Sequence, residues 1–196
     1  MSPPHTIILA STSVHRRQLL ERLGLAFAQQ APAVDEKLVP GETPAQRALR
    51  LAVAKAAAVA AQHPAAIVIG SDQVASLPRG ESAEVLRKPG DRVTCAAQLA
   101  AMSGSKVNFD TAVCVQTGSV VLTHLEPTVV SFRELTAAAI DHYIDREPSF
   151  DCAGGFRCEG LGVTLFRSME SCDPTALVGL PLIWLCGALR QLGVEV

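Results

Sequence analysis

Asp72 closes the apolar run Ile67-Val68-Ile69-Gly70-Ser71. Ligands of α/β sheets gather at the carboxyl ends of strands, so a carboxylate there can hold a divalent cation or orient water. Asp35-Glu36 follows another strand-like run and adds oxygen donors suited to a hard cation. Arg16 shares a helical stripe with Leu20 and Leu23, which points its guanidinium inward, where it needs an anion. Lys55 interrupts the stripe of Leu51 and Val59, and Lys88 sits on the rigid turn Lys88-Pro89-Gly90. Ser11-Thr12-Ser13 opens a helix whose free N–H groups and positive dipole end suit a phosphate. Together these residues describe a metal-assisted polyphosphate site, with cations on phosphate oxygens and carboxylates on the metal. Each also has a plainer reading. Arg16 could serve a structural salt bridge, Lys55 could snorkel from a helix edge, and Asp72 could cap a turn. Arg17, four residues before Glu21, reads as a surface ion pair.

Short apolar β-like runs alternate with helical segments along the chain, the pattern of an α/β domain. Strands are expected at residues 6–10, 27–34, 65–71, 107–116, 120–132 and 163–166, the third central and buried on both faces. Helices are expected to about residue 23 after Ser13, at 44–62 behind a Thr43-Pro44-Ala45-Gln46 capping box, at 92–102, after Thr136 to about 145, and from Pro181. Residues 78–89 read as an excursion or hairpin, and residues 147–162 as a turn-rich functional loop. His5, His63, His124 and His142 have no motif context and read as surface or satisfied positions, and Trp184 as core.

The length of 196 residues suits one domain, 1–196, large enough to bury a core without staples. With 48% hydrophobic and 18% charged residues the chain is neither disordered nor a coiled coil. A net charge of −2 and a pI near 6.2 argue against nucleic acid as a partner, and 4% aromatics against a base-stacking platform. The six cysteines form no C-x-x-C pair, and most read as buried small hydrophobes. Residues 1–5 lack the basic start of a secretory signal, and the apolar run at 177–189 is broken by Pro181 and too short to span a membrane. A cytoplasmic protein that binds no membrane is expected, with a homodimer left open. No P-loop, nucleophile elbow, H-E-x-x-H or dinucleotide fingerprint is present.

The run from Leu9 to Leu20, Leu-Ala-Ser-Thr-Ser-Val-His-Arg-Arg-Gln-Leu-Leu, resembles the opening signature of the Maf-type nucleotide pyrophosphatases. Further blocks follow in that family's order: Val34-Asp35-Glu36, Leu51-Ala52-Val53-Ala54-Lys55-Ala56, Gly70-Ser71-Asp72-Gln73-Val74, Lys88-Pro89, Ser103-Gly104 with Thr111-Ala112-Val113, and Gly179-Leu180-Pro181. The resemblance implies an α/β fold shared with inosine-triphosphate pyrophosphatases, a mixed twisted sheet with flanking helices and two lobes around a cleft. It implies hydrolysis of a nucleoside triphosphate to monophosphate and diphosphate with a divalent metal (Mg²⁺, Mn²⁺ or Co²⁺). By the same resemblance Asp72 is the proton acceptor and Ser11, Arg16, Lys55 and Lys88 hold phosphates. Asp35, Glu36 and Asp72 serve the metal.

Asp72-Gln73 and the late block Asp151-Cys152-Ala153-Gly154-Gly155-Phe156-Arg157-Cys158-Glu159-Gly160 are similar to the branch that hydrolyses 7-methyl-GTP. A glutamate such as Glu159 can accept from the guanine N1–H and N2 amine together, and its charge favours a cationic methylated base. Gln73 and His15 join it as base-specificity residues, His15 standing where that branch often carries Trp. Two alternatives remain at this level: a dTTP/UTP pyrophosphatase of the same family, and a non-catalytic nucleotide-binding regulator of cell division.

Overall fold

The computed structural model describes residues 6–80 and 82–196; the expectation for residues 1–5, His5 included, lies outside the described residues. The elements run β1 (Ile7–Ala10), α1 (Val14–Glu21), β2 (Ala28–Gln30), α2 (Pro44–Ala60), β3 (Ile67–Arg79), β4 (Ser82–Leu86) and α3 (Arg92–Met102). There follow β5 (Lys106–Thr117), β6 (Val120–Phe132), α4 (Ala137–Arg146), β7 (Phe166–Glu170) and α5 (Leu182–Gln191), with 3₁₀ turns at Ala153–Gly155, Leu161–Leu165 and Ala176–Val178. One sheet of seven strands has the order β2-β1-β3-β5-β6-β7, with β4 paired to β3. β1 lies parallel to β2 and β3, whereas β4 is antiparallel on β3 and β7 on β6. The α/β class and the mixed sheet are as expected.

Local chemistry accounts for most boundaries. Ser13, Thr43, Asp91 and Thr136 each accept a backbone N–H of the first helical turn, and Thr43 and Gln46 form the full capping box. β1 is buried at all four positions, as a strand with parallel neighbours on both sides should be.

Several expectations are corrected. The central strand does not stop before Asp72 but continues to Arg79 and turns back through Gly80, at φ 62°, into β4. The second strand shrinks to the polar edge segment Ala28–Gln30. Residues 161–165 form a 3₁₀ turn, and the last strand starts only at Phe166. Cys95 and Cys114 alone among the six cysteines are buried; Cys152, Cys158 and Cys186 are half-buried and Cys172 is exposed. Trp184 is half-buried, packing against the edge of the core and stacking on His124 at 5.2 Å.

The chain divides into two compact units. The first comprises Met1–Gln73, Thr111–Glu126 and Asp173–Val196, the second Val74–Asp110 and Pro127–Cys172. In the first, Leu9, Leu19, Leu20, Ile67, Ile69, Val113, Leu180, Leu185 and Leu189 form one core. Phe156 centres the second, packing edge-on against Phe109 and Phe132 at 5.5 Å and Phe166 at 5.2 Å. No helix among the described residues is long and apolar enough to cross a membrane.

Candidate functional site

Helix α2 approaches the sheet closely because Gly70 has no side chain. A Cβ there would stand on the Ala52 carbonyl oxygen and 2.6 Å from the Ala56 nitrogen. That approach places Lys55 over Asp72. The Lys55 Nζ lies 2.6 Å from Asp72 Oδ1 and 2.7 Å from Glu36 Oε1, with Lys55 and Asp72 buried and Glu36 exposed. Sequence spacing alone had left Lys55 open to a snorkelling role; instead its ammonium bridges two carboxylates from separate segments.

The loop that carries Glu36 is tied to α2. Arg47 Nη2 donates to the Glu36 carbonyl at 3.0 Å, Arg50 Nη2 to the Lys37 carbonyl at 3.3 Å, and Arg50 grips Glu42 through two bonds of 2.6 and 2.7 Å. Partial burial pushes the Glu36 carboxyl up, but the Lys55 hydrogen bond and the charges of Lys55, Arg16 and Arg47 outweigh it and hold Glu36 below the usual carboxylate range. The sequence reading missed Arg47 and Arg50. Their i, i+3 spacing on the Lys55 helix, opposite an acidic pair, was the available signal.

Arg16 enters from α1. Its Nε donates to the Gly179 carbonyl at 2.9 Å, and its terminal nitrogens have no hydrogen-bond partner among the described residues. Burial pulls the guanidinium down from its ordinary pKa while the Asp72 and Glu36 carboxylates pull it back, and it stays a cation. Two donor-bearing nitrogens on a half-buried cation are what a phosphate oxygen pair would engage. Ser11 is buried at the end of β1 and accepts from the Ser13 N–H at 3.1 Å, leaving its hydroxyl hydrogen to donate. Arg17 pairs with Glu21 at 2.9 Å on the surface, as expected.

Asp35 turns to Lys37, accepting its N–H at 3.0 Å and pairing with its Nζ at 3.0 Å. Gln73 directs its amide nitrogen to Thr111 Oγ1 and to the carbonyls of Ala176 and Leu177 at 2.9–3.1 Å. His15 is half-buried in the first turn of α1. Lys88 and Glu159 belong to the second unit and are both exposed, Glu159 Oε2 lying 3.5 Å from the Cys158 thiol.

A divalent cation would find hard oxygen donors in Asp72 and Glu36. Each keeps one carboxylate oxygen, Asp72 Oδ2 and Glu36 Oε2, without a hydrogen-bond partner among the described residues. Asp35, occupied by Lys37 on both oxygens, fits that role less well.

A family model described as "Maf-like protein" matches residues 6–192. The chain is 54% identical over 187 residues to a protein of Xanthomonas oryzae pv. oryzae named 7-methyl-GTP pyrophosphatase, covering 95% of this chain and 96% of that one. Proteins of the same name from Albidiferax ferrireducens and Thiobacillus denitrificans are 48% and 50% identical, covering 100% and 97% of this chain and 98% and 94% of their own.

Proposed function

Because this chain belongs to the Maf-like protein family, we propose that it is a hydrolase of phosphorus-containing anhydrides that converts 7-methyl-GTP to 7-methyl-GMP and diphosphate, clearing a modified nucleotide from the pool. The observation that carries the reading is the Glu36–Lys55–Asp72 cluster beside the unpartnered end of Arg16. The shared name of relatives near 50% identity over almost the whole chain supports the choice of base.

In this reaction a water oxygen bonds to the α-phosphorus, the α–β bridging bond breaks, and diphosphate leaves. Asp72 Oδ2 accepts the proton of the attacking water, a role open to it because only Oδ1 is bound to Lys55. Arg16 and Ser11 donate to phosphate oxygens, and Lys55 offsets the gathering negative charge at the carboxylates. A divalent cation held by Glu36, and by the lone pair of Asp72 that the water does not use, would supply further charge neutralisation at the phosphates. The roles of Lys88 on phosphate and of Glu159 and His15 at the base rest on the motif match. So does the treatment of residues 1–196 as a single catalytic domain, supported by a family match running through both units. A cytoplasmic location and a homodimeric state belong to the same proposal and are checked by fractionation and light scattering.

The test is diphosphate release from a panel of 7-methyl-GTP, GTP, dTTP and UTP with Mg²⁺, Mn²⁺ or Co²⁺. The highest kcat/KM should fall on 7-methyl-GTP, and a preference for UTP or dTTP would overturn the base assignment. Asp72→Asn is nearly isosteric and should lower the rate by about 10²–10⁴-fold with an unchanged circular dichroism spectrum. Near-normal turnover by that variant would remove Asp72 from the mechanism.

A further inference from the structure

We infer that Gln73 is a positioning residue, which fixes the turn that seats the Arg16 guanidinium and does not read the base; this rests on the reading of Arg16 as a phosphate ligand.

Gln73 and Ser71 stand two residues apart on β3 and so leave it on one face. The Gln73 amide nitrogen donates to the carbonyl oxygens of Ala176 at 3.0 Å and Leu177 at 3.1 Å and to Thr111 Oγ1 at 2.9 Å. Thr111, from β5, passes its own hydroxyl hydrogen to the Ala176 carbonyl at 3.0 Å. Two side chains from two strands therefore hold the 3₁₀ turn Ala176–Val178 by its backbone.

That turn ends at Gly179, whose carbonyl lies 2.9 Å from Ser71 Oγ and 2.9 Å from Arg16 Nε. Its φ of 120° excludes ordinary side chains, and a Cβ there would come within 3.3 Å of Arg16 Nε and 3.5 Å of its Cγ. The bare backbone of Gly179 is thus the seat of the guanidinium. A long arginine side chain has many rotamers, and the bond from Nε to a fixed carbonyl selects one that leaves both terminal nitrogens to a ligand.

The same contacts argue against base reading by the amide nitrogen. Its two hydrogens already face three acceptors, so neither is left to donate to a guanine O6. The Gln73 Oε1 has no hydrogen-bond partner among the described residues, and base reading would have to use it.

Gln73→Met keeps the length of the side chain and removes the amide. The experiment measures kcat/KM for 7-methyl-GTP, GTP and UTP, and the Kd for inorganic triphosphate with Mg²⁺ by calorimetry, in the wild type and in Gln73→Met, Arg16→Ala and the double variant. Gln73→Met should lower kcat/KM for all three nucleotides by one common factor of up to about 10²-fold, the scale on which misplacing a group by about 1 Å acts. It should weaken triphosphate binding to match, yet change the Kd less than twofold in the Arg16→Ala background. Thr111→Val, which leaves the amide in place, should show the same coupling at smaller size and decides the question if Gln73→Met does not fold.

A shift in the ratio among the three nucleotides would overturn the inference in favour of base reading through Oε1. Additive losses on Arg16→Ala would overturn it in favour of a general structural role, and wild-type triphosphate binding by Arg16→Ala would remove its premise. Inorganic triphosphate has no base and needs no turnover. A failed 7-methyl-GTP assignment therefore leaves this measurement intact and is told apart from a failure of the inference.

Discussion

Two lysines that the sequence presents as equivalent phosphate ligands sit in unlike surroundings. Lys55 is buried between Asp72 and Glu36, whereas Lys88 is exposed. Alanine at the two positions should therefore have unlike effects on stability. Removing one partner of a buried ion pair leaves an uncompensated charge, so Lys55→Ala should cost roughly 3 kcal/mol, a fall in Tm of about 6–12 °C by calorimetry. Lys88→Ala should leave Tm within a degree or two of wild type. Asp110 shows the opposite situation. It is half-buried, its carboxylate has no hydrogen-bond partner among the described residues, and burial raises its pKa. The folded chain then holds this proton more tightly than the unfolded chain. Its stability penalty is absent below the ordinary aspartate value of about 4 and grows as pH rises from there through the raised folded value. Asp110→Asn should increase stability in urea at pH 7.5, with a gain that shrinks toward zero as pH is lowered to about 4. Equal gains at both pH values would show that titration of Asp110 is not the cause.

At the scale of elements, the site depends on how near α2 comes to β3. Gly70 permits that approach, since a Cβ would meet the backbone of Ala52 and Ala56 rather than a yielding side chain. Gly70→Ala should therefore push α2 outward, cost about 1–3 kcal/mol of overpacking, and lengthen the Lys55–Asp72 contact. Thermal unfolding and the rate of diphosphate release should fall together; a stable variant with low activity would show that the contact matters without the packing. Arg47 and Arg50 bind the Glu36 loop to the same helix, so the displaced element would carry a carboxylate with it.

Across the whole molecule, β3, β5 and β6 each contribute residues to both compact units. The thiols report whether those units unfold together. Cys114 in the first unit and Cys95 in the second are buried, and burial pushes each thiol up to about 11. At pH 8 that leaves only ~10⁻³ of each as reactive thiolate. Iodoacetamide should therefore modify exposed Cys172 in the native protein and reach Cys95 and Cys114 only on unfolding. Peptide mapping across a urea series should give both buried thiols one midpoint, because three shared strands couple the units. Separate midpoints would mean two folding domains.

Much of this architecture was written in local chemistry. The capping box at Thr43 and Gln46, the Asp91 and Thr136 caps and the apolar run of β3 are short-range patterns, and they place α2, α3, α4 and the central strand without reference to the rest of the chain. The residue types of a polyphosphate site were legible for the same reason, as Arg16 and Lys55 interrupt apolar stripes. Tertiary structure decided what those residues touch. Asp72 lies within a strand instead of at its end because Lys55 neutralises it from across a helix–sheet contact, and periodicity cannot see a partner 17 residues away. Gln73 matches the base-specificity pattern in sequence, and the turn that its amide holds lies over 100 positions further along, where no local pattern reaches. Hydrogen bonds and ion pairs form between groups that folding makes adjacent. Sequence spacing could therefore nominate Arg16, Lys55, Asp72 and Gln73, but only the folded chain could pair them.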